Sequence, residues 1–321
     1  MKTIQLILAP MAGINNAPFR TLCKEHGADI AYSEMISAAG IRYSKQQTLK
    51  FVKSVPADFP FFTQLFGSNP QDFALATNFL NNLPTSKNKL PFLRKPQGID
   101  INFGCPVKKV LKQNAGCALM KNPNLAFEII QAVCDNTNLP VSIKIRAGIE
   151  EYSALDFLEK VAILPWQTVI IHGRTFKQGF SGPINFELIK KIKILYPHKT
   201  VIANGGITDG TTAKEALTKT NADGLAIGRG ALGKPWIFEE IKAALKNQPI
   251  KPKTQTEIKS VALAHLVKVK QYQGLNGLFE FRKHLGWYFK NFPNAKTFRQ
   301  KLLCATSFEK IKILLTSFPT D

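Results

Sequence analysis

The stretch GIDINFGCPVKKVLKQNAG, residues 98–116, sets a thiol between a glycine and a proline where an apolar run stops. Ile99 and Ile101 alternate with Asp100 and Asn102, the period of a strand, and Gly104, Cys105 and Pro106 end it abruptly. Cys105 therefore stands at a strand tip. A thiol with an ordinary pKa of about 8.5 is mostly protonated near neutrality and can serve as a general acid. The competing use of such a residue is as a small buried filler. The other cysteines are Cys23, Cys117, Cys134 and Cys304; they form no CxxC pair and no zinc-like spacing. Neither a metal nor a disulfide framework is expected, and reduced thiols point to the cytoplasm.

Similar chemistry gathers at the ends of other apolar segments, which carry Met11, Glu34, Gln64, Asn102, Lys144 with Arg146, and His172 with Arg174. Lys144 lies between Ile143 and Ile145, so its side chain points opposite to theirs, and a buried lysine needs an anionic or acceptor partner. Asn204-Gly205-Gly206 and Gly228-Arg229-Gly230-Ala231 are turns whose backbone N–H groups can approach a phosphate closely, with Arg229 adding charge. Glu34 could simply pair with a lysine, and His172 suits a structural histidine as well as a cofactor contact.

Eight segments read as strands: QLILAPMAG, ADIAYSEM, FPFFTQLFG, GIDINFGCP, PVSIKIRAG, QTVIIHGRT, KTVIANGGI and ADGLAIGRG. Between them run NLAFEIIQAVCDNT, ALDFLEKVAIL, NFELIKKIKILY and TTAKEALTKT, with apolar residues at helical spacing. That alternation predicts a (β/α)8 TIM barrel over residues 1–239, with chemistry at the carboxyl ends of the strands and phosphate binding after the seventh and eighth. A doubly wound sheet competes, but it carries a glycine fingerprint after its first strand, where this chain has Pro10-Met11-Ala12-Gly13. The opening MKTIQLILAPMAG runs straight into that turn and reads as a first strand rather than a leader. No apolar run approaches the roughly 20 residues of a membrane span, so no membrane partner is expected.

Residues 240–321 show only helical runs and read as a small all-helical domain. The 321-residue chain carries 43 Lys and Arg against 22 Asp and Glu, a net +21, and residues 240–321 hold fifteen of these bases against five acids. A polyanion is the expected partner, gripped by the tail, although many of these lysines could be solvated helix faces. Leu83–Gly98, rich in proline and basic residues, reads as a tolerated surface excursion before the fourth strand.

The chain resembles the tRNA-dihydrouridine synthases through APMAGINNAPFR, SEM, QLFGSNP, INFGCPVKKV, IKIRAG, IHGRTFKQGFSG, NGGI, AIGRGALGKPWIF and RKHLGWY, a likeness running from Ala9 to about Trp287. The resemblance implies an FMN-containing barrel with a helical tRNA-binding tail, reducing uridine to 5,6-dihydrouridine with NADPH as electron donor. Matched by motif, Pro10, Met11, Ala12, Gln64, Lys144, Asn204, Gly205, Gly206, Gly228 and Arg229 would hold FMN, with His172 lining it. Cys105 would be the catalytic acid, and Asn102, Arg146, Arg174, Arg282 and Lys283 would contact the substrate. NAGCALM departs from the family pattern by placing a second thiol, Cys117, near the first. Trp287 and Tyr288 suit core packing on a helix face. Two other functions fit parts of the chain: an FMN-barrel reductase of a small pyrimidine, for which the basic tail is superfluous, and a non-catalytic RNA-binding protein, for which Cys105 and Lys144 are.

Overall fold

The computed structural model describes residues 3–85, 92–290, 292 and 295–318. Eight strands, β1 (Gln5–Leu8), β2 (Ile30–Ser37), β3 (Phe61–Phe66), β4 (Gly98–Phe103), β5 (Val141–Arg146), β6 (Thr168–His172), β7 (Thr200–Asn204) and β8 (Gly224–Ile227), close into a parallel barrel. Each pairs with its neighbours in sequence, and β8 returns to β1. Every expected strand segment supplies one of them, and helices pack outside, so the fold is a (β/α)8 barrel with a helical C-terminal region.

Local signals start the outer helices. Asn16, Asn69 and Asn122 cap the helices Ala17–Glu25, Pro70–Asn81 and Pro123–Cys134 with their side-chain oxygens, and a proline follows each cap within two residues. The strand period then sorts the faces. Ile99, Ile101, Ile143 and Ile145 enter the core between sheet and helices, whereas Ile7, Tyr32, Phe62, Ile170, Ile202 and Ala226 plug the barrel's interior. The Tyr32 and Phe62 rings stack there with centroids 5.1 Å apart. A Cβ on Gly98 would lie 2.1 Å from the Phe62 ring, so only glycine admits that plug.

The barrel's last helix is Ile237–Leu245, whose Ile237, Phe238 and Ile241 belong to the barrel core; residue 240 falls within it. Four further helices, Gln255–Gln273, Leu275–Tyr288, Ala295–Leu303 and Phe308–Ser317, form a second core that takes in Leu22 and Trp236 from the barrel. Phe19 packs its ring against His284 at 4.7 Å and His265 at 5.8 Å. Tyr288 is buried in this core, while Trp287 is half-buried with its backbone against Gly233 in the loop after β8. In the Leu83–Gly98 connection, residues 86–91 lie outside the described residues; beyond them Phe92 and Leu93 pair with Ser54 and Lys53. Among the described residues, no helix is long and apolar enough to cross a membrane.

Candidate active site

A cavity of about 810 Å³ opens at the carboxyl ends of the barrel strands. Register decides what lines it. Gln64 stands beside Asp100, Asp100 beside Ser142, Asn102 beside Lys144, Arg146 beside His172, and His172 beside Asn204. These residues share the inward phase of their strands, so polar groups replace the apolar plug as the barrel rises.

The thiol is held from several sides. The Asn102 side-chain oxygen accepts from the backbone N–H of Cys105 at 2.9 Å and of Gly104 at 3.1 Å. The Cys105 carbonyl accepts from the N–H of Cys117 at 3.1 Å, and Arg146 Nε donates to the Gly104 carbonyl at 2.8 Å. Gly116, at φ +63°, turns the chain so closely past Cys105 that a Cβ there would meet its carbonyl oxygen at 2.9 Å. Burial pushes the Cys105 thiol above its usual range, outweighing the Val107 N–H and the charges of Arg146 and Lys144. Cys117 is pushed higher, to about 11, mainly by burial. Both are protonated at neutral pH.

The loops after β7 and β8 form one cradle. Gly205 and Gly206 adopt φ +115° and +71°, and a Cβ on Gly205 would strike Ile184 at 2.7 Å and the His172 ring at 2.8 Å. Gly230 passes so near Ile207 that a Cβ would lie 2.3 Å from its carbonyl oxygen, which locks the two loops together. A Cβ on Gly228 would instead point at Met11 Sδ and Ala9 Cβ, 3.7 and 3.9 Å away, across the cavity wall. Arg229 is exposed beside this turn, donating to the Phe180 carbonyl at 3.0 Å with its guanidinium 4.5 Å from the Phe180 ring.

The cavity is cationic. Burial, followed by the charges of Lys144, Arg146, Arg174 and Arg229, pushes His172 down to about 2, so its imidazole is neutral at any working pH. Burial also lowers Lys144, to about 8, against the attraction of Asp100. Asp100, fully buried, is raised to about 7 by desolvation although Ser142 and Gln64 donate hydrogen bonds to it.

Pro10, Met11 and Ala12 from the β1 loop join Gln64, Lys144, Asn204, Cys105 and the glycine turns in lining this one cavity. Arg146 and Arg174 also line it, but both are engaged with backbone: Arg146 Nη1 donates to the Thr175 and Gly179 carbonyls and Arg174 Nε to that of Gly182. Arg282 and Lys283 lie outside. Arg282 stacks on Phe279 at 4.8 Å, and the Lys283 ammonium stands 3.3 Å from where a Cβ on Gly13 would sit. Glu34 accepts from the Gly13 N–H, and the charge of Lys283 also acts on it. Two further residues belong to the site: Asp100, whose inward phase matches that of Asn102, and Phe180, whose loop carries no periodic signal.

Paired glycine turns, four cationic side chains and the Cys105 loop line one cavity at the carboxyl ends of the strands, the face on which barrel enzymes carry their chemistry. The family model described as Dihydrouridine synthase (Dus) matches residues 7–319, and the chain belongs to this oxidoreductase family. It is 36% identical over 301 residues to a probable tRNA-dihydrouridine synthase of Rickettsia bellii, covering 92% of this chain and 88% of that one. It is equally 36% identical over 302 residues to tRNA-dihydrouridine synthase B of Vibrio vulnificus, covering 92% and 89%. Among solved structures, histamine dehydrogenase from Rhizobium sp. 4-9 superposes with a TM-score of 0.50 at 13% identity, over 82% of this chain and 49% of that one, a likeness of fold alone.

Proposed function

We propose that the protein reduces uridines of tRNA to 5,6-dihydrouridine, with FMN held in the barrel mouth, NADPH as electron donor and Cys105 as the proton donor. The observation that carries this is the placement of the Cys105 loop and the paired glycine turns on one cationic cavity. The donor set fits FMN: the Gly205–Gly206 and Gly228–Arg229 turns offer backbone N–H groups and a guanidinium to a phosphate, while Gln64, Lys144 and neutral His172 face the space for a polar ring edge. Bound and reduced, that cofactor supplies a hydride to C6 of the uracil.

This chain's own task is the proton. Addition of hydride at C6 builds negative charge at C5, and the Cys105 S–H breaks to place its proton there, leaving a thiolate that solvent reprotonates. His172 is the poorer donor, because its imidazole is neutral and could give up only its ring N–H, leaving an imidazolate. Reaching a cavity at the barrel mouth requires the uridine to be turned out of its stack, and residues 240–321, net +10, grip the surrounding phosphates. These roles place the enzyme in the cytoplasm, with tRNA.

The test is direct. Purified protein should be yellow and release FMN on denaturation. Under NADPH it should convert uridine in unmodified tRNA to dihydrouridine at mapped positions. A colourless protein, or reduction of free pyrimidine with no action on tRNA, would overturn the assignment.

A further inference from the structure

Two side-chain amides join the buried carboxylate of Asp100 to the backbone of the thiol loop. Ser142 Oγ donates to Asp100 Oδ1 at 2.5 Å, and Gln64 Nε2 donates to Asp100 Oδ2 at 2.6 Å. Asn102 Nδ2 then donates to Gln64 Oε1 at 2.8 Å, which leaves Asn102 Oδ1 to accept from the N–H groups of Gly104 and Cys105. The far end of this chain consists of backbone N–H groups, which only donate; the near end is a carboxylate, which when ionised only accepts. One polarity satisfies both ends, and an amide flipped anywhere would set donor against donor.

We infer that Asp100 is a positioning residue: it fixes the orientation of the Gln64 and Asn102 amides and, through them, holds the Cys105 loop at the cavity. Its consequence for turnover rests on the acid role of Cys105 proposed above. The inner end of the chain is closed: Asp100 is 0% exposed and stands behind the cavity wall that Gln64 and Asn102 line, so water does not replace a partner lost there. The groups facing Asp100 from the packed strands are Gln64 on β3, Ser142 and Lys144 on β5, and Tyr32 on β2, whose hydroxyl lies 3.2 Å from Ser142 Oγ.

That surrounding set separates orientation from charge. In Asp100→Asn the new amide oxygen can accept from Gln64, its NH2 can donate to Ser142, and the Ser142 hydroxyl can turn to Tyr32, so the polarity of the chain survives. In Asp100→Leu the Gln64 Nε2 loses its acceptor, so Gln64 is held only at Oε1 by Asn102 Nδ2, and the Asn102 amide that accepts from the Gly104 and Cys105 N–H groups loses its backing.

The experiment is site-resolved alkylation of the purified full-length protein with iodoacetamide, followed by peptide mass mapping from about pH 7 to 10. The high-pH plateau reads access to each thiol and the midpoint reads its ionisation. Asp100→Leu should raise the Cys105 plateau by about tenfold, the factor that one lost hydrogen bond commands. Asp100→Asn should stay within about twofold of wild type, while Cys23, wholly buried between barrel and helices, should be unmoved in both variants. Should Asp100→Leu fail to fold, Gln64→Leu cuts the next link and should give the same rise. An unchanged Cys105 plateau, a rise shared with Cys23, or an Asp100→Asn that behaves like Asp100→Leu would each overturn the inference. If Cys105→Ala proved harmless to turnover while the alkylation contrast held, the acid role would fall and the positioning would stand.

Discussion

Arg146 Nε donates to the Gly104 carbonyl at 2.8 Å, so a guanidinium at the end of β5 holds the residue that precedes the thiol at the end of β4. Its Nη1 reaches the Thr175 and Gly179 carbonyls in the loop after β6, at 3.1 and 2.9 Å, and one buried cation thus joins two loops of the cavity. A lysine cannot span three carbonyls with one ammonium. Arg146→Lys should therefore lose about 2 kcal/mol of stability in urea unfolding, from buried carbonyls left without donors. An unfolding midpoint equal to wild type would count against the staple.

Cys105→Ala should leave bleaching of the bound flavin by NADPH near normal and slow its reoxidation by tRNA by about 10²–10⁴-fold, the usual contribution of a general acid. Cys117, joined to the same loop through its N–H, should be nearly silent as Cys117→Ala. Stopped-flow absorbance of the two half-reactions separates these outcomes, and a larger defect in Cys117→Ala would move the acid.

The pH profile follows from the burial of Cys105. A thiol raised above its ordinary range stays protonated through neutrality, and its donor form is lost only as pH climbs past that raised value. The tRNA-dependent step should therefore fall at alkaline pH. His172, pushed down to about 2, adds no inflection between pH 5 and 8. A rate that rose with ionisation of Cys105 would show the thiolate, not the thiol, to be the working form.

Lys144→Ala and Arg229→Ala should both weaken flavin retention, the first by removing the ammonium at the cavity floor and the second by removing charge beside the β8 turn. Flavin-to-protein ratios after gel filtration check this. Full occupancy in both variants would contradict the assigned cofactor seat.

Affinity for tRNA should drop steeply with salt, since each phosphate contact releases counterions. Lys283→Ala, at the seam where the tail helix meets Gly13, should flatten the slope of log K against log salt by about 0.7–1. The full chain is the right material. A cut at residue 240 would sever the helix Ile237–Leu245, and removal of the tail would bare Leu22 and Trp236.

Much of the barrel was legible in order. Alternation in GIDINF and VSIKIR separates Ile99, Ile101, Ile143 and Ile145 from Asp100, Asn102, Ser142 and Lys144 without reference to any partner, because a strand's side chains change face at every residue. The glycine turns and Cys105 stood out for the same local reason: they interrupt a periodic pattern.

Tertiary structure alone decided who meets whom. That Gln64 pairs across the sheet with Asp100, 36 residues away, and Asp100 with Ser142, 42 residues away, depends on the register of β3 on β4 and of β4 on β5. Face is a property of one strand, whereas register is a property of two, so periodicity marks Asp100 as inward without revealing its amide chain. Arg146, expected to contact the substrate, also staples two loops, which the sequence does not reveal because its partners are backbone carbonyls, which every residue carries and no sequence distinguishes. Phe180 enters the site only because the loop after β6 folds back over Arg229. The helix Ile237–Leu245 joins the barrel rather than the tail because its apolar face is matched by the barrel's core, a choice among surfaces that exists only once the barrel has closed.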